Sequence, residues 1–300
     1  MKVVTFLSVK GGVGKTTLTV NTANELATKI GGSDKVLIID LDAQAGASVY
    51  LLGYDQQQAL EKQNQTIHEL LDNTINNQDP NISKYIINPY KTNPSSGWSP
   101  RLDVIVGDSR IIDLEREIIS RSAAKGFGWS LILYQLLTKL SQLNYSFIFI
   151  DPPATLGALS RMALGASNYF LIPLIPDDFG RVTVGMFTKD FFNQAVVEIA
   201  LAGRQDIPLC GGIVFNKIKT NSKKQEEIAD EIANEIRGKK LYNKYSIPVY
   251  KTKLYDRIAY VKSLEEHKPL YKIGDKKAEE EFQSFFNEFY DYVVRDKAKG

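Results

Sequence analysis

Short runs of β-branched and aromatic residues alternate along the chain with longer segments whose apolar positions recur every three to four residues. The runs at 2–8, 35–40, 102–106, 146–151, 169–173, 212–216 and 247–250 are almost continuously apolar, as strands covered on both faces must be. Helical periodicity is clearest at 15–29, 111–120, 129–143, 183–201, 222–237 and 276–295. Strand and helix in alternation predict an α/β fold, a mainly parallel, doubly wound sheet flanked by helices, as a single domain over residues 1–300. Residues 56–100 break the pattern. They are rich in Asn and Gln and carry Asn93-Pro94 and Ser95-Ser96-Gly97, which predicts a peripheral excursion with one short helix near 66–71. Tyr85, Ile86, Ile87 and Trp98 are its apolar anchors. No repeat with a period of 20 to 50 residues is visible.

The last helix, within 276–296, carries Phe282, Phe285, Phe286, Phe289, Tyr290 and Val293 at spacings of three and four. Such a stripe packs on a core or lies on a membrane. Its polar face holds Glu279, Glu280, Glu281, Glu288 and Asp291, which anionic lipid would repel, so core packing is expected and stable membrane binding is not.

Composition narrows the function classes. The 37 Lys and Arg nearly balance the 35 Asp and Glu, so affinity for any polyanion must come from a local patch. Cys210 is the one cysteine and sits in an apolar run, which excludes a disulfide framework or a thiolate metal cluster within the chain and predicts a buried strand thiol. His68 and His267 lie among polar neighbours without metal-ligand spacing and are read as surface residues. No apolar run reaches the roughly 18 residues of a membrane span, and the amino terminus lacks a signal-peptide pattern. A cytoplasmic protein is expected.

Candidate chemistry begins directly after the first strand, at Val9-Lys10-Gly11-Gly12-Val13-Gly14-Lys15-Thr16-Thr17. Glycines let a backbone wrap around phosphate oxygens, and the first N–H groups of the following helix point at the negative charge. Lys15 is placed to neutralise the β- and γ-phosphates, and Thr16 to offer a hydroxyl to Mg²⁺. The general G-x-x-x-x-G-K-[ST] pattern has glycine where this chain has Val9, and an extra lysine follows at position 10. Two further acid-bearing segments end apolar strands. Asp40 and Asp42, in Asp40-Leu41-Asp42-Ala43-Gln44, face one side if strand geometry persists; the alternative for Asp42 is the N-cap of a helix over 46–52. Asp151 closes Phe147-Ile148-Phe149-Ile150-Asp151-Pro152-Pro153 and has the shape of a Walker B aspartate. Asn216-Lys217 ends another strand, but position 219 is Lys219 where guanine recognition needs an acid. Adenine is therefore favoured, with Asn216 near its ring edge or simply in a turn.

The segment Lys10-Gly11-Gly12-Val13-Gly14-Lys15-Thr16-Thr17 resembles the deviant Walker box of the ParA/MinD family of ATPases, and is closest to the ParA-type (Soj-like) members. The resemblance implies ATP and Mg²⁺ as ligands and a nucleotide-sandwich homodimer in which Lys10 reaches the partner's phosphates. It implies that Asp42 orients the attacking water and that Thr16, Asp40 and Asp151 serve the Mg²⁺. Ala43 stands where the family often has proline, and Asp151-Pro152-Pro153-Ala154-Thr155-Leu156-Gly157 departs from the family's Asp-x-Pro-Pro-Ser-Leu-Gly. It also implies non-specific DNA binding by the ATP state, hence nucleoid association, and a ParB-like partner that stimulates hydrolysis.

Residues 217–277 hold 16 Lys or Arg against 9 Asp or Glu, a patch suited to DNA phosphates. Its centre is Arg237, Lys239, Lys240, Lys244, Lys251, Lys253 and Arg257, interleaved with Tyr242, Tyr245, Tyr250 and Tyr255. Only nine residues precede the loop, so no amino-terminal helix-turn-helix is expected. A MinD-like membrane regulator and a metabolic ATP-dependent enzyme on the same fold are the alternatives. An iron–sulfur reductase is excluded by the single cysteine.

Overall fold

Successive apolar residues along each strand point to opposite faces of one sheet, and helices cover both. The structure, a computed structural model, describes residues 1–76, 78–125, 131–187, 191–201, 203–241 and 245–299. The phosphate-loop unit comes first: β1 (Lys2–Phe6), α1 (Lys15–Lys29), β2 (Lys35–Asp40) and α2 (Gly46–Leu52). The excursion adds α3 (Tyr54–Lys62), α4 (Ile67–Ile75), β3 (Ile86–Ile87) and α5 (Pro89–Thr92). The centre follows with β4 (Leu102–Ile105), α6 (Ile111–Lys125), α7 (Ile132–Leu140), β5 (Tyr145–Asp151), α8 (Ala158–Ala166), β6 (Tyr169–Leu174), α9 (Asp178–Met186) and α10 (Phe192–Leu201). The chain closes with β7 (Leu209–Ile218), α11 (Lys223–Ile236), β8 (Lys240–Leu241), β9 (Tyr245–Ser246), β10 (Val249–Tyr255), α12 (Ile258–Glu265) and α13 (Lys276–Phe289).

The eight-stranded sheet runs β10-β7-β6-β1-β5-β2-β4-β3. Its pairings are parallel except for β3 against β4. Val4, Phe6, Val36, Ile38, Phe147 and Phe149 face a core shared with α1 and α13. Val3, Leu37, Ile39, Ile148 and Ile150 face α4, α6, α7 and α8 on the other side, while Phe170, Ile172 and Leu174 meet α9, α10 and α11. This two-residue alternation fixes register, because a one-residue slip would turn each inward set out.

The expected strands all form, several of them longer than predicted, notably β7 and β10. The periodic segment 183–201 divides into α9 and α10, with residues 188–190 outside the described residues. Trp129, the predicted start of the 129–143 helix, also lies outside them. The largest departure concerns 56–100. One helix was expected there, whereas α3, α4, α5 and an edge strand are found. Trp98 is 1% exposed and meets Tyr50 edge-to-face at 5.6 Å, and α4 buries Ile67, Leu70 and Leu71 against the sheet. The Asn and Gln residues that masked this order cap and pin it: Asn88 Nδ2 donates to the Pro100 and Leu102 carbonyls and to Asp103 Oδ1. His267 is likewise less exposed than predicted, with its ring packed near Gly53.

The aromatic stripe of the last helix is core. Phe285 and Phe289 are fully buried and Phe286 is 1% exposed, each worth about 1.5–3 kcal/mol of apolar burial. Glu288, beside this stripe, accepts from the Lys251 and Thr252 N–H groups (2.8 and 2.7 Å), covering the open edge of β10. Cys210 is buried in β7, and burial pushes its thiol up to about 12. No helix among the described residues is long and apolar enough to cross a membrane.

Candidate functional site

The carboxyl ends of the parallel strands are where loops can converge without breaking the sheet's hydrogen bonds, and the charged residues singled out above meet there. β1 delivers the loop 7–14, which turns through Gly12 (φ 77°) and Gly14 (φ 86°) into α1. A side chain is disfavoured at such φ values. Gly14 is also crowded: a Cβ there would lie well inside van der Waals contact distance of Asn216 Nδ2. Asn216, at the end of β7, is buried and donates from Nδ2 to the Val13 carbonyl (2.8 Å). It braces the loop from behind. No side chain caps the amino end of α1, so its first N–H groups remain available to an anion.

The adjacent strands β2 and β5 place Asp40 and Asp151 as direct register partners, both fully buried. Asp151 is neutralised by Lys15, whose Nζ lies 2.7 Å from Oδ1, and it accepts from Thr16 Oγ1 at 2.8 Å. Asp40 has no cation paired to it among the described residues. Oδ2 accepts the Ser48 N–H (2.8 Å) and hydroxyl (2.7 Å), and Oδ1 the Asp42 N–H (3.1 Å). Burial first, then the Asp151 charge, push the Asp40 carboxyl up from the ordinary 3.8 to about 7, against the opposing Ser48 and Asp42 bonds. A hydroxyl and two confined carboxyls form an oxygen-rich, electronegative corner. Among the described residues no cluster of three His, Cys, Asp or Glu marks an all-protein metal cage.

Asp42 is half-buried just past this corner, and its Oδ1 accepts the Gln44 N–H at 3.0 Å. It does not cap α2, whose N-cap is Ala45 in a left-handed conformation (φ 49°). Lys10 stands at the rim. Its Nζ is 2.6 Å from Asp177 Oδ2 and 5.3 Å from the centre of the Phe179 ring. Asp177 Oδ1 meanwhile caps α9 through the Gly180 N–H (2.8 Å). A pocket of about 130 Å³ opens beside Gly14 and Thr17, bounded by Asn216, Lys217, Asp256, Arg257 and Tyr260.

Lys10, Gly11, Gly12, Val13, Gly14, Lys15, Thr16, Thr17, Asp40, Asp42, Asp151 and Asn216 thus share one end of the sheet. Of the described basic candidates Arg257 reaches this end, where Glu281 holds it beside the 130 Å³ pocket, and the others lie elsewhere. Arg237, Lys251 and Lys253 line a separate cleft between α11 and β10, with Lys253 paired to Asp230 at 2.7 Å. Lys239 and Lys240 are exposed next to it, while Tyr242 and Lys244 lie outside the described residues. Three site residues were not anticipated: Ser48, Asp177 and Asp256. Asp177 carried a legible signal, since it follows an apolar strand as Asp40 and Asp151 do, and Asp256 lies in the run 255–260 at the end of the last strand; Ser48 carried none.

Comparisons with known proteins agree with this geometry. The AAA domain family model matches residues 1–194. The uncharacterized protein MJECL24 of Methanocaldococcus jannaschii is 27% identical over 297 residues, 99% of each chain. The virulence plasmid ParA family protein pGP5-D of Chlamydia psittaci is 32% identical over 60% of this chain and 59% of its own. The chromosome-partitioning ATPase Soj of Treponema pallidum is 25% identical over 81% of each. Among solved structures, apo McdA from Cyanothece superposes with a TM-score of 0.72 at 18% identity, covering 96% of this chain and 99% of that one, a likeness of fold. The chain belongs to the AAA domain family and, within it, to the ParA-type P-loop ATPases.

Proposed function

We propose that this protein is an MgATP-dependent dimerising ATPase that binds DNA without sequence preference in its ATP state. It would segregate or position a cargo, a plasmid, chromosome region or protein assembly, with hydrolysis stimulated by a ParB-like partner. The observation that carries this reading is the pair of lysines on one glycine loop. Lys15 is buried against Asp151, while Lys10 is half-exposed at the rim and held by Asp177 beside the Phe179 ring. One cation serves its own site, and the other is placed to leave it.

The loop amides and Lys15 would hold the phosphates, and the 130 Å³ pocket would take the base. There Asp256 supplies a carboxylate able to accept a purine N–H, and Asn216 supports the loop beneath it. Thr16, Asp40 and Asp151 fit a hydrated Mg²⁺, which supplies charge neutralisation on the phosphate oxygens when bound. Asp42 would orient the water that attacks the γ-phosphorus as the bond to the β-phosphate oxygen breaks. Lys10 of a second copy would offset the charge that develops there, as an arginine finger does in trans. A membrane-docking role for the last helix lacks a free surface, because Phe282, Phe285, Phe286 and Phe289 are already buried.

The test is binding of duplex DNA of arbitrary sequence by the purified protein with ATP, ADP or no nucleotide, across a salt series. Binding that needs ATP, ignores sequence and falls steeply with salt supports the reading. Binding indifferent to nucleotide, or none, overturns it.

A further inference from the structure

The basic third of the chain is not one continuous surface. Lys253 is committed to Asp230 (2.7 Å), Lys268 to Glu266 (2.9 Å) and Arg257 to Glu281. A different group of lysines gathers on the other side of β10. Lys262 of α12 and Lys276 and Lys277 at the start of α13 line one open cleft of about 500 Å³. All three are exposed, and none takes part in an ion pair among the described residues. The carboxylate among the lining residues, Asp275, is turned onto its own helix, where Oδ1 accepts the Ala278 N–H at 3.1 Å. Three like charges in one concavity raise the local potential and attract a polyanion.

The position of the cleft adds a second observation. α12 is the wall between it and the pocket beside the phosphate loop. Ile258, Ala259 and Lys262 line the cleft, while Tyr260, Val261 and Leu264 line the pocket with Gly14, Thr17 and Asn216. α12 is also tied internally to the loop's neighbours. The hydroxyl of Tyr50, on α2 after Asp40 and Asp42, meets Ser263 Oγ of α12 and accepts from Asn21 Nδ2 of α1 at 2.9 Å. The helix that follows the phosphate loop, the helix that follows the paired acids and the helix that carries Lys262 therefore share one buried polar contact.

We propose that the phosphodiester backbone of duplex DNA lies in the cleft between α12 and α13, held by Lys262, Lys276 and Lys277. This rests on the DNA-binding reading above and moves its surface away from Arg237, Lys239, Lys240 and Lys251. It also gives the nucleotide a short route to DNA, because α12 touches both ligands' sites.

The experiment compares wild type with Lys262→Ala/Lys276→Ala/Lys277→Ala, with the corresponding triple arginine variant, and with Arg237→Ala/Lys239→Ala/Lys240→Ala/Lys251→Ala. Binding of a labelled duplex is followed by fluorescence anisotropy with a non-hydrolysable ATP analogue and Mg²⁺, over a salt series. Thermal unfolding and affinity for a fluorescent ATP analogue show that each variant is folded and loaded. Each phosphate contact contributes about 0.9 to the slope of log K against log salt, or roughly fivefold in affinity near 0.15 M. The triple alanine variant is expected to lose about a hundredfold and to flatten the slope by nearly three. The arginine variant keeps wild-type affinity, and the quadruple variant stays within a few-fold of it. Wild type that binds DNA while the triple alanine variant binds equally well overturns the cleft and leaves the DNA-binding reading standing. Wild type that binds no DNA overturns both.

Discussion

Gly14 is held in a left-handed conformation against the amide of Asn216, and replacing it tests whether the phosphate loop is braced as described. An alanine there adopts a backbone conformation that costs a residue with a Cβ about 1–2 kcal/mol. Its methyl also displaces the Asn216 amide, ending the bond to the Val13 carbonyl and adding about 1 kcal/mol, or more if the buried amide finds no new partner. Gly14→Ala is therefore expected to lose about 2–4 kcal/mol, together with nucleotide affinity. Asn216→Ala removes the brace but also the obstruction, so Gly14→Ala/Asn216→Ala should cost less than the sum of the single variants by about 1 kcal/mol or more. Urea unfolding of the four proteins, with slopes compared to confirm like transitions, closes the cycle. Costs that simply add, or a Gly14→Ala protein as stable as wild type, would refute the contact between loop and β7.

Lys15→Met leaves Asp151 buried without its cation beside Asp40. It should cost about 3–5 kcal/mol near pH 8 and recover partly on acidification; an unchanged unfolding midpoint at pH 8 would contradict the pairing. Asp40 has a native value of about 7 against the ordinary 3.8, so the native state binds its proton more tightly than the unfolded state does. The stability this gives is complete below the ordinary value and is lost as pH rises through 7. Ligand-free wild type should therefore melt at a lower temperature at pH 8 than at pH 6, with a steeper change than Asp40→Asn; parallel profiles would rule the site out as the cause. Phe289→Ala empties a fully buried position and should cost about 3–5 kcal/mol without altering ATP affinity. A variant of normal stability would reopen the last helix as a docking surface.

The strands through Val3-Val4, Leu37-Ile38 and Phe147-Ile148 were readable because both of their faces are covered, which makes each an uninterrupted apolar run. The phosphate loop was readable for a different reason: its glycines, Lys15 and Thr16 are adjacent in the chain, so one local pattern holds the whole cradle. The excursion was obscured because its order comes from contacts distant in sequence, such as Trp98 on Tyr50 and Asn88 on Asp103. Its composition resembles that of a loop. Ser48 was hidden likewise, since it matters through Asp40 on a neighbouring strand. The division of the basic third had no local signal at all, because Glu281, Asp230 and Glu266 select which cations remain free.

The proposed sandwich dimer requires that Lys10 leave Asp177 to serve a second copy of the chain across bound ATP. Light scattering of Asp42→Ala, which should bind ATP without consuming it, measures this directly when compared with Lys10→Ala/Asp42→Ala in ATP and Mg²⁺. The account predicts a dimer for the first, a monomer for the second, and equal ATP occupancy in both. A loaded monomer for Asp42→Ala, or a dimer that forms equally well without Lys10, would contradict it.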